Sequence, residues 1–452
     1  MCGGGFAGLT TALALATRGA SVVVLEAHPR GNNPQFRGEL IHPRGARDLD
    51  RLGILTPLEQ AGSVEIAGFS AWANGEDEDV VLPYQRGRGA GVGVDHHAML
   101  DAMREVARAR GVTILLGQRA SEILRSGDRV IGVRTECGKG FRAELTVAAD
   151  GRQSRVRKML GIEAFVERLS HTVTASIPRS ALPRAAYGHV FLGGVGPVLA
   201  YPFARESARM CIDLPLNAAK GADAIAEYVR VHQAPQLTPS VREALLESLA
   251  KGEFGGCATH AVTTTTCAVP GAVLVGDAGG CAHPLTATGM TAAMNDAQTL
   301  LECTSLLGLS DAALVRYQRL RYRFVRARDS FTEALYEVFR AQDQGSRALQ
   351  RGVFSYWRGS ARARATSMGI LSGDDARMSV FMAEYARVMG ISTLDVWRGL
   401  LPVRPRAAAT TRMLKTSLGR LERAVDFAVQ AMIDERRVRL SDLPTRALEA
   451  VA

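Results

Sequence analysis

Three acidic side chains in this sequence stand where protein folds commonly bind hydroxyl-rich ligands. Glu26, Asp150 and Asp277 each follow a short apolar run. Runs of this length predict buried strands, and open α/β sheets bind ligands beyond the carboxyl ends of such strands. A carboxylate in that position accepts hydrogen bonds. We therefore predict that these residues hold a cofactor with several hydroxyl groups. No side chain stands out as a catalytic nucleophile.

The stretch around Asp277 has the parts that a flavin requires. Gly276 and Asp277 end a strand, Pro284 stiffens the loop that follows, and a helix is predicted from about Met290. Gly289 lets the backbone approach a flat or charged group. The first N–H groups of the helix point back into the loop, where the helix dipole favours negative charge. An acceptor for ribityl hydroxyls and donors for an anionic reduced ring are thus predicted on one loop.

The N-terminus carries a glycine pattern that is typical of dinucleotide binding. Gly3, Gly5 and Gly8 form Gly-x-Gly-x-x-Gly, followed by a helical run, Leu9–Thr17, and by a strand that ends at Glu26. The glycines permit a tight turn and close approach to a pyrophosphate, and the acid is placed to hold a ribose hydroxyl. Further cofactor contacts are predicted at Phe6, Ala7 and Ala27.

Only Met1 and Cys2 precede this motif, at the place where a dinucleotide-binding fold has its central strand. Either the sequence begins a few residues late, or that strand is nearly absent. Absence of the strand would leave buried backbone groups without partners. We therefore expect the natural protein to carry several more apolar residues upstream.

The motif in the second half of the chain resembles one family. Residues 276–278 (Gly-Asp-Ala), 283–286 (His-Pro-Leu-Thr) and 289–291 (Gly-Met-Thr) are similar to the second FAD motif of p-hydroxybenzoate hydroxylase-like flavoprotein monooxygenases. They most resemble its squalene epoxidase branch. Ala287 and Thr288 stand where that family usually has glycines. The resemblance implies FAD contacts at Gly276, Asp277, Pro284, Gly289 and Met290.

A second motif resembles the same class. Asp150, Gly151, Ser154 and Arg157 match Asp-Gly-x-x-Ser-x-x-Arg at every fixed position. The family links this motif to FAD and to pyridine-nucleotide handling, which implies cofactor contacts at Asp150 and Gly151. Arg157 is expected to reach back as a charge-assisted hydrogen-bond donor. A purely structural turn between strand and helix is the alternative.

Two further cofactor contacts are carried over from the family. Residues 38–43 (Gly-Glu-Leu-Ile-His-Pro) are similar to its Gly-Glu-Leu-Leu-Gln-Pro segment, which implies that Arg37 binds FAD, a surface arginine being the alternative. His42 replaces the family's glutamine and is a candidate for the substrate pocket. The family's His-His-Gly-Arg reads His-His-Ala-Met here, so the arginine that contacts FAD is missing at Met99. His97 is assigned part of its role, with a helix-surface histidine as the equal alternative.

The histidine pair at 96–97 does not predict a metal site, because no second ligand cluster with metal spacing accompanies it. Asp95 is the expected N-cap of the helix that follows. Beyond this helix, a strand that begins at Ala120 belongs to a ribbon that lies over the adenosine in such flavoproteins. Ala120 is therefore a further implied cofactor contact.

Residues 165–260 alternate between apolar and polar positions, which predicts an antiparallel sheet that covers the isoalloxazine. Tyr201 and Phe203 are candidates for a substrate pocket, although aromatic residues in strands also serve as plain core. We predict an α/β fold with a Rossmann-like FAD-binding domain over 1–310, interleaved with this mixed or antiparallel substrate sheet. A C-terminal helical region is predicted over 311–452.

Composition narrows the class of protein further. The chain has 452 residues, of which 47% are hydrophobic, and a formal net charge of +10. This charge favours an anionic cofactor, an anionic membrane surface or simple solubility over nucleic acid, for which no signature is present. The seven cysteines include no Cys-x-x-Cys pair, which favours free thiols in the cytoplasm. No apolar run reaches transmembrane length.

Beyond residue 309 the sequence becomes helical and basic. Arg316, Arg319, Arg323 and Arg326 recur at helical spacing, either as a solvated face or as a contact for an anionic membrane. The region to about residue 390 resembles the membrane-embedded helices of squalene epoxidases, but charged residues interrupt its apolar runs. We expect helices that cap the pocket with at most peripheral membrane contact, and a last helix over Thr411–Glu435.

The resemblance implies a monooxygenase in which reduced flavin binds O2 as a C4a-hydroperoxide and transfers one oxygen atom. NAD(P)H is the implied reductant, directly or through a separate reductase. The implied substrate is large and apolar: an isoprenoid, a polyene or a polyketide. Two alternatives remain, an FAD-dependent prenyl or alkene reductase of related fold and a non-catalytic flavin-binding protein. The Trp-x-Trp-x-Ile-Pro signature of flavin halogenases is absent from the sequence.

Overall fold

The computed structural model describes residues 1–30, 38–73, 78–85, 87–375 and 377–398. These residues form alternating helices and strands, with a run of helices after residue 289. The helices are α1 (Phe6–Ala16), α2 (Pro43–Arg51), α3 (Leu55–Gln60), α4 (His96–Ala109), α5 (Arg155–Met159), α6 (Ala222–His232), α7 (Pro239–Ala250), α8 (Gly289–Leu307), α9 (Asp311–Arg340), α10 (Gln344–Gly359), α11 (Ala361–Leu371) and α12 (Met378–Arg398).

The strands are mostly short and buried. They are β1 (Val23–Glu26), β2 (Gly38–Ile41), β3 (Val64–Ile66), β4 (Gly68–Ala73), β5 (Val80–Pro83), β6 (Gly91–Asp95), β7 (Thr113–Leu116), β8 (Ala120–Ser126), β9 (Arg129–Thr135), β10 (Gly140–Arg142), β11 (Thr146–Ala148), β12 (Ala164–Pro178), β13 (Tyr187–Leu192), β14 (Val198–Pro202), β15 (Ser207–Leu214), β16 (Phe254–Thr264), β17 (Ala268–Val269), β18 (Ala272–Leu274) and β19 (Gly280–Cys281).

Short parallel strands form the dinucleotide-binding part. β1 pairs with β7, and β11 pairs with β18. Cys2 bridges the two pairs, since it pairs in parallel with both Leu25 and Ala148. Its N–H donates to Val147 O at 2.8 Å, and its carbonyl accepts from Ala149 N at 2.7 Å. Cys2 thus stands at the central position of this layer with both of its backbone groups paired.

Helix α1 is buried between this layer and the helices that cover it. Leu9, Ala12 and Leu13 are fully buried, in one cluster with residues of α2, α4 and α8. A helix that is apolar on nearly every side is stable only when it is enclosed in this way. Its N-terminus is therefore held rigidly beside the end of β1.

An eight-stranded sheet has the order β19-β16-β12-β15-β14-β13-β4-β5. Its pairs are antiparallel except for β13 with β4. Because side chains alternate along a strand, Val173 and Ile212 pack under α6 and α7 in one apolar cluster, whereas the opposite face carries Ser170, Thr172 and Asp213. The sheet thus has one apolar face and one polar face.

These elements confirm the predicted α/β class with an interleaved mixed sheet and a C-terminal helical region. The sheet also takes β4 and β5 from before the predicted insert at 165–260, because β13 pairs with β4. The predicted domain boundary at residue 310 stays a prediction, and the helix predicted over Thr411–Glu435 lies outside the described residues.

The chain divides into two compact units. The first comprises Met1–Arg340 and Trp357–Tyr385, and the second comprises Ala341–Tyr356 and the chain from Ala386 onward. Among the described residues, no helix combines the length and the apolar character that crossing a membrane requires.

Candidate cofactor site

The glycines of the N-terminal motif differ in what surrounds them. A Cβ on Gly3, whose φ is +107°, would lie 2.4 Å from Ala149 O, and one on Gly8 would lie 2.0 Å from Gly3 O. These two glycines are therefore needed for packing between α1 and β11. A Cβ on Gly5, at the N-cap of α1, would meet no described atom within 4 Å. Gly5 leaves the open space at a helix N-terminus that a pyrophosphate occupies.

Glu26 lies at the end of β1 with its carboxylate oriented by backbone groups. Its Oε2 accepts from Gly4 N at 2.7 Å, and its Oε1 accepts from His28 N at 2.7 Å. A carboxylate has about four acceptor sites, so Glu26 retains capacity for ribose hydroxyls. The neighbouring Ala27 is half-buried.

The Asp150 motif forms a capped turn. The Asp150 carboxylate accepts from Ser154 Oγ and, at 3.1 Å, from Val156 N. Gly151 has a φ of +79° and open space around its Cβ position among the described atoms. The structural alternative thus accounts for the Asp150 side chain, whereas Gly151 leaves room for a ligand.

Buried Arg157 joins this turn to the Gly-Asp turn that follows β18. Its Nη1 donates to Ala278 O at 2.8 Å, and its Nη2 donates to Arg152 O at 3.0 Å. The expected backward reach of this arginine is therefore present, although its acceptors are carbonyl oxygens.

The Gly-Asp turn is also held by a buried ion pair that the motifs do not include. Arg321 of α9 donates to Asp296 Oδ2 of α8 at 3.0 Å, to Gly279 O at 2.9 Å and to Gly276 O at 3.2 Å. Asp296 Oδ2 in turn accepts from Gly276 N at 2.8 Å. Arg321 and Asp296 therefore fix both ends of the turn that carries Asp277.

Asp277 itself is left available to a ligand. Its carboxylate has no hydrogen-bond partner among the described residues and is half-buried. Burial raises the pKa of Asp277, and this rise is opposed by the nearby Arg152 and Arg328 guanidiniums. A desolvated acceptor of this kind gains from each ligand hydroxyl that donates to it.

Asp277→Ala is expected to weaken FAD binding by about 1–3 kcal/mol, because it removes this acceptor from the site. Titration of apoprotein with FAD, followed by flavin fluorescence, measures the change. Asp128→Ala, in the exposed turn between β8 and β9, is the matched control and is expected to bind FAD like the parent. Full flavin content and unchanged affinity in Asp277→Ala would remove Asp277 from the site.

The flavin loop, residues 282–288, leads from β19 into α8. Fully buried His42 holds its far end, since His42 Nε2 lies 2.8 Å from Thr286 O and its Nδ1 lies 2.7 Å from Tyr84 Oη. Because a carbonyl only accepts, Nε2 carries the proton. Burial lowers the pKa of His42 to about 4, so the ring is neutral near pH 7.

The flavin loop ends at open space. Among the described atoms, nothing lies within 4 Å of a Cβ built on Gly289, the first residue of α8. Pro284 starts a single 3-10 turn in the loop, and Met290 is half-buried at the start of the helix. The predicted contacts of the second FAD motif thus share one loop and one helix terminus.

Ala287 adopts the left-handed conformation with a φ of 50°. Because Ala is strained there and Gly is not, Ala287→Gly is expected to raise the free energy of unfolding by about 0.5–1 kcal/mol. Urea denaturation measures the change. The matched control Ala292→Gly, in right-handed α8, is expected to lower stability by about 1 kcal/mol. Equal losses in both variants would contradict strain at Ala287.

His97 has an unsatisfied buried atom. Its Nδ1 finds no hydrogen-bond partner in the described part of the chain, whereas the neighbouring His96 lies 2.6 Å from Glu39 Oε1. Asp95 caps α4 as expected and accepts from His97 N at 2.8 Å. Met99 is fully buried, and Ala120 starts β8 as a buried residue. Arg37 lies outside the described residues.

The substrate-pocket candidates lie on neighbouring elements. Tyr201 and Phe203 are buried, and the guanidinium of Arg209 lies 4.7 Å above the Phe203 ring. A Cβ on Gly93 of β6 would lie 2.0 Å from Pro202 O, so this segment packs against β6. β6 pairs with β2, the strand that leads to His42.

Taken together, the residues present fit FAD. Gly5, Gly151 and Gly289 leave open space in three motifs, and unpartnered acceptors remain at Asp277 and at buried His97 Nδ1. These residues have the chemistry to hold a pyrophosphate, ribityl hydroxyls and a flavin ring.

A sequence model of the squalene epoxidase family matches residues 142–396, more than half of the 452 residues. The chain belongs to the squalene epoxidase family. A second model, for FAD dependent oxidoreductases, matches residues 2–89. The predictions of this family, of an FAD-dependent monooxygenase and of NAD(P)H as reductant are thereby confirmed. The individual site residues stay predictions.

Relatives and solved structures agree with membership of the squalene epoxidase family. A squalene epoxidase of Aspergillus fumigatus is 29% identical over 425 residues, 87% of this chain and 85% of that protein. One of Saccharomyces cerevisiae is 27% identical and covers 82% of this chain and 83% of its own length.

Two solved structures are similar in fold. A probable FAD-dependent monooxygenase of Pseudomonas aeruginosa has a TM-score of 0.63 at 21% identity, covering 75% of this chain and 95% of that chain. A flavin-dependent brominase has a TM-score of 0.71 at 15% identity, covering 87% of this chain and 98% of that chain. At such identities the likeness concerns the fold alone.

Proposed function

We propose that the protein inserts one oxygen atom from O2 into a large apolar isoprenoid, polyene or polyketide, by epoxidation or hydroxylation. The names and coverage of the squalene epoxidase relatives support this class of substrate. The observation that carries the proposal is a set of contacts between the α11 lid, residues 361–375, and the elements around the flavin loop.

Arg44 of α2 makes the central lid contact. Its Nη1 donates to Gly373 O at 2.7 Å, and its Nη2 donates to Asn295 Oδ1 of α8 at 3.0 Å. Arg47 of α2 pairs with Asp374, and Gln85 donates to Ala365 O at 2.9 Å. A lid fixed to α2 and α8 excludes water from the space beside the flavin loop.

When bound, reduced FAD supplies the activation of O2 for oxygen transfer. The chain's own residues bind and orient the reactants. The first N–H groups of α8 donate towards negative charge on the ring, while Asp277 and Glu26 accept from hydroxyl groups. The lid keeps the site dry, which favours transfer to substrate over loss of oxygen as H2O2. No side chain is needed as a nucleophile.

Incubation with candidate alkenes, squalene first, tests the proposal under air and under nitrogen. NADPH is supplied with and without a separate flavoprotein reductase, which identifies the electron donor. A product that carries one ¹⁸O atom from ¹⁸O2 supports the proposal. A saturated product that forms under nitrogen favours the alkene reductase. NADPH oxidation that no ligand changes favours a flavin-binding protein without this activity.

We also propose that membrane contact is at most peripheral, in a cytoplasmic protein. Of the four arginines that form the basic stripe on α9, Arg316 and Arg323 are exposed, whereas Arg326 stacks over the Tyr322 ring at 3.6 Å. Each exposed charge near an anionic surface contributes about 1 kcal/mol. Binding to anionic liposomes is therefore expected to be weak at low salt and lost at high salt in a flotation assay. Binding that survives high salt and requires detergent for release would contradict the proposal.

A further inference from the structure

Four buried polar side chains meet where the eight-stranded sheet, the flavin loop and α9 come together. Ser170 lies on β12, Asp213 on β15, His283 in the flavin loop and Tyr336 on α9. Their residues are 0%, 5%, 6% and 9% exposed, respectively. Polar groups at this depth must satisfy one another, since water does not reach them.

The hydrogen bonds determine which atom carries each proton. Leu285 N donates to His283 Nδ1 at 3.1 Å, so Nδ1 is an acceptor and the proton of the neutral ring is on Nε2. His283 Nε2 lies 3.1 Å from Asp213 Oδ1. The Tyr336 hydroxyl donates to Asp213 Oδ2 at 2.9 Å, and its ring stacks on that of His283 with centroids 3.9 Å apart. Each Asp213 oxygen therefore has a donor.

This cluster is not a hydrolase triad, although it contains Ser, His and Asp. A triad places the carboxylate and the serine on opposite nitrogens of the imidazole. Here Ser170 Oγ lies 3.1 Å from the same Nε2 that faces Asp213, and Nδ1 is engaged by the backbone of Leu285. Because Ser170 is fully buried, it is also inaccessible to a substrate.

Asp213 is itself held firmly in the sheet. Its N–H donates to Pro197 O at 3.0 Å, and its carbonyl accepts from Gln233 Nε2 at 2.9 Å. Its carboxylate thus links a fixed point on the polar face of the sheet to His283, the residue whose side chain caps the flavin loop. His42 holds the other end of the loop at Thr286 O.

We propose that Asp213 and Tyr336 are positioning residues for the cofactor that act through His283. By accepting from His283 Nε2, Asp213 fixes the flavin loop, and with it Gly289 and the start of α8, relative to the substrate-bearing sheet. Tyr336 fixes the second carboxylate oxygen and the plane of the imidazole. The inference rests on the proposed placement of FAD at Gly289 and Asp277.

The experiment measures FAD affinity of the full-length apoprotein by fluorescence titration and its thermal midpoint in parallel. His283→Asn keeps an acceptor for Leu285 N but loses the contact with Asp213. His283→Gln keeps a donor near the position of Nε2 but loses the loop cap. Asp213→Asn removes the charge, and Tyr336→Phe removes one hydroxyl while it keeps the stacked ring. Thr259→Val is the matched control, because Thr259 is a buried hydroxyl on β16 that bonds Thr172 instead of the cluster.

Asp213→Asn, Tyr336→Phe and His283→Asn are each expected to weaken FAD binding about tenfold, as for loss of one charge-assisted hydrogen bond. His283→Gln is expected to retain part of the affinity that His283→Asn loses. In the His283→Asn background, Asp213→Asn is expected to add less than about a twofold change, because the path to the loop is already broken. Thr259→Val is expected to lower the thermal midpoint without changing the FAD Kd.

Unchanged FAD affinity in Asp213→Asn and Tyr336→Phe, with a lower thermal midpoint, would overturn the inference, since the cluster would then stabilise only the fold. Independent effects of Asp213→Asn and His283→Asn would overturn it as well. Asp277→Ala separates this result from a wrong site assignment. If that variant also binds FAD like the parent, the placement of the cofactor has failed; if it binds weakly, only the positioning role has failed.

Discussion

Arg321→Met is expected to lower the free energy of unfolding by about 3–5 kcal/mol, because it leaves the Asp296 carboxylate buried without its cation. The two side chains are 5% and 1% exposed, so water cannot replace the guanidinium. Asp296 Oδ1 already lacks a partner among the described residues. The carbonyls of Gly276 and Gly279 lose their donors in the same variant, and we expect tight FAD binding to be lost with them.

Urea denaturation of the apoprotein and FAD titration measure the two effects separately. The double variant Arg321→Met with Asp296→Leu removes both charges and is expected to recover most of the stability, as buried ion pairs replaced by apolar side chains commonly do. It is expected not to recover FAD affinity, because the turn still lacks its donors. Arg316→Met, exposed on the same helix, is the control and is expected to change stability by less than about 0.5 kcal/mol.

Equal stability of the single and the double variant would contradict the charge argument. FAD affinity of the parent in the double variant would show that Arg321 does not position the Gly-Asp turn.

The cofactor motifs were readable from the sequence because each is local. A strand-end acid, a glycine and a helix start lie within a few residues of one another, and their spacing alone fixes how they meet. Asp277 and Gly5 accordingly lie where a ligand can reach them. Local reading has a limit at Asp150, since the same Asp-Gly corner serves as a cap for Ser154 and Val156, and sequence does not tell a cap from a ligand contact.

Arg321 was missed for a different reason. It stands among several arginines, and the helical spacing of Arg316, Arg319, Arg323 and Arg326 describes a stripe that does not include it. Arg321 instead follows buried Tyr317 by four residues, on the face of α9 that packs inward. An arginine on the apolar face of one helix and Asp296 on the apolar face of the preceding helix together would have indicated the pair.

The extent of the substrate sheet was not readable either. The alternation over residues 165–260 predicts strands and faces but does not specify partners. Tyr187 pairs with Gly68 across more than a hundred residues, and such pairing depends on the tertiary arrangement, because many strands share the same period of two. The ties at His42 and His283 are equally non-local, joining the flavin loop to β2 and β15.

The stability of the protein is expected to fall as the pH drops from about 6.5 towards 4, in part through His42. Burial lowers the pKa of His42 from its ordinary 6.5 to about 4. Between these values the unfolded chain binds a proton that the folded ring refuses, so stability rises with pH across this window and is constant above it. The difference for one such histidine is on the order of 3 kcal/mol.

His42→Gln tests this pH dependence, since glutamine donates and accepts hydrogen bonds but does not titrate, and the family often has glutamine at this position. The stability difference between parent and variant, measured by urea denaturation, is expected to shrink by about 3 kcal/mol from pH 7 to pH 4 in favour of the variant. Burial also lowers the pKa of His189 to about 4, so part of the acid sensitivity remains in the variant. His232→Gln, at an exposed histidine on α6, is the control and is expected to follow the parent at each pH. A difference between parent and His42→Gln that stays constant from pH 7 to pH 4 would mean that the buried ring takes up its proton without loss of the Tyr84 and Thr286 contacts.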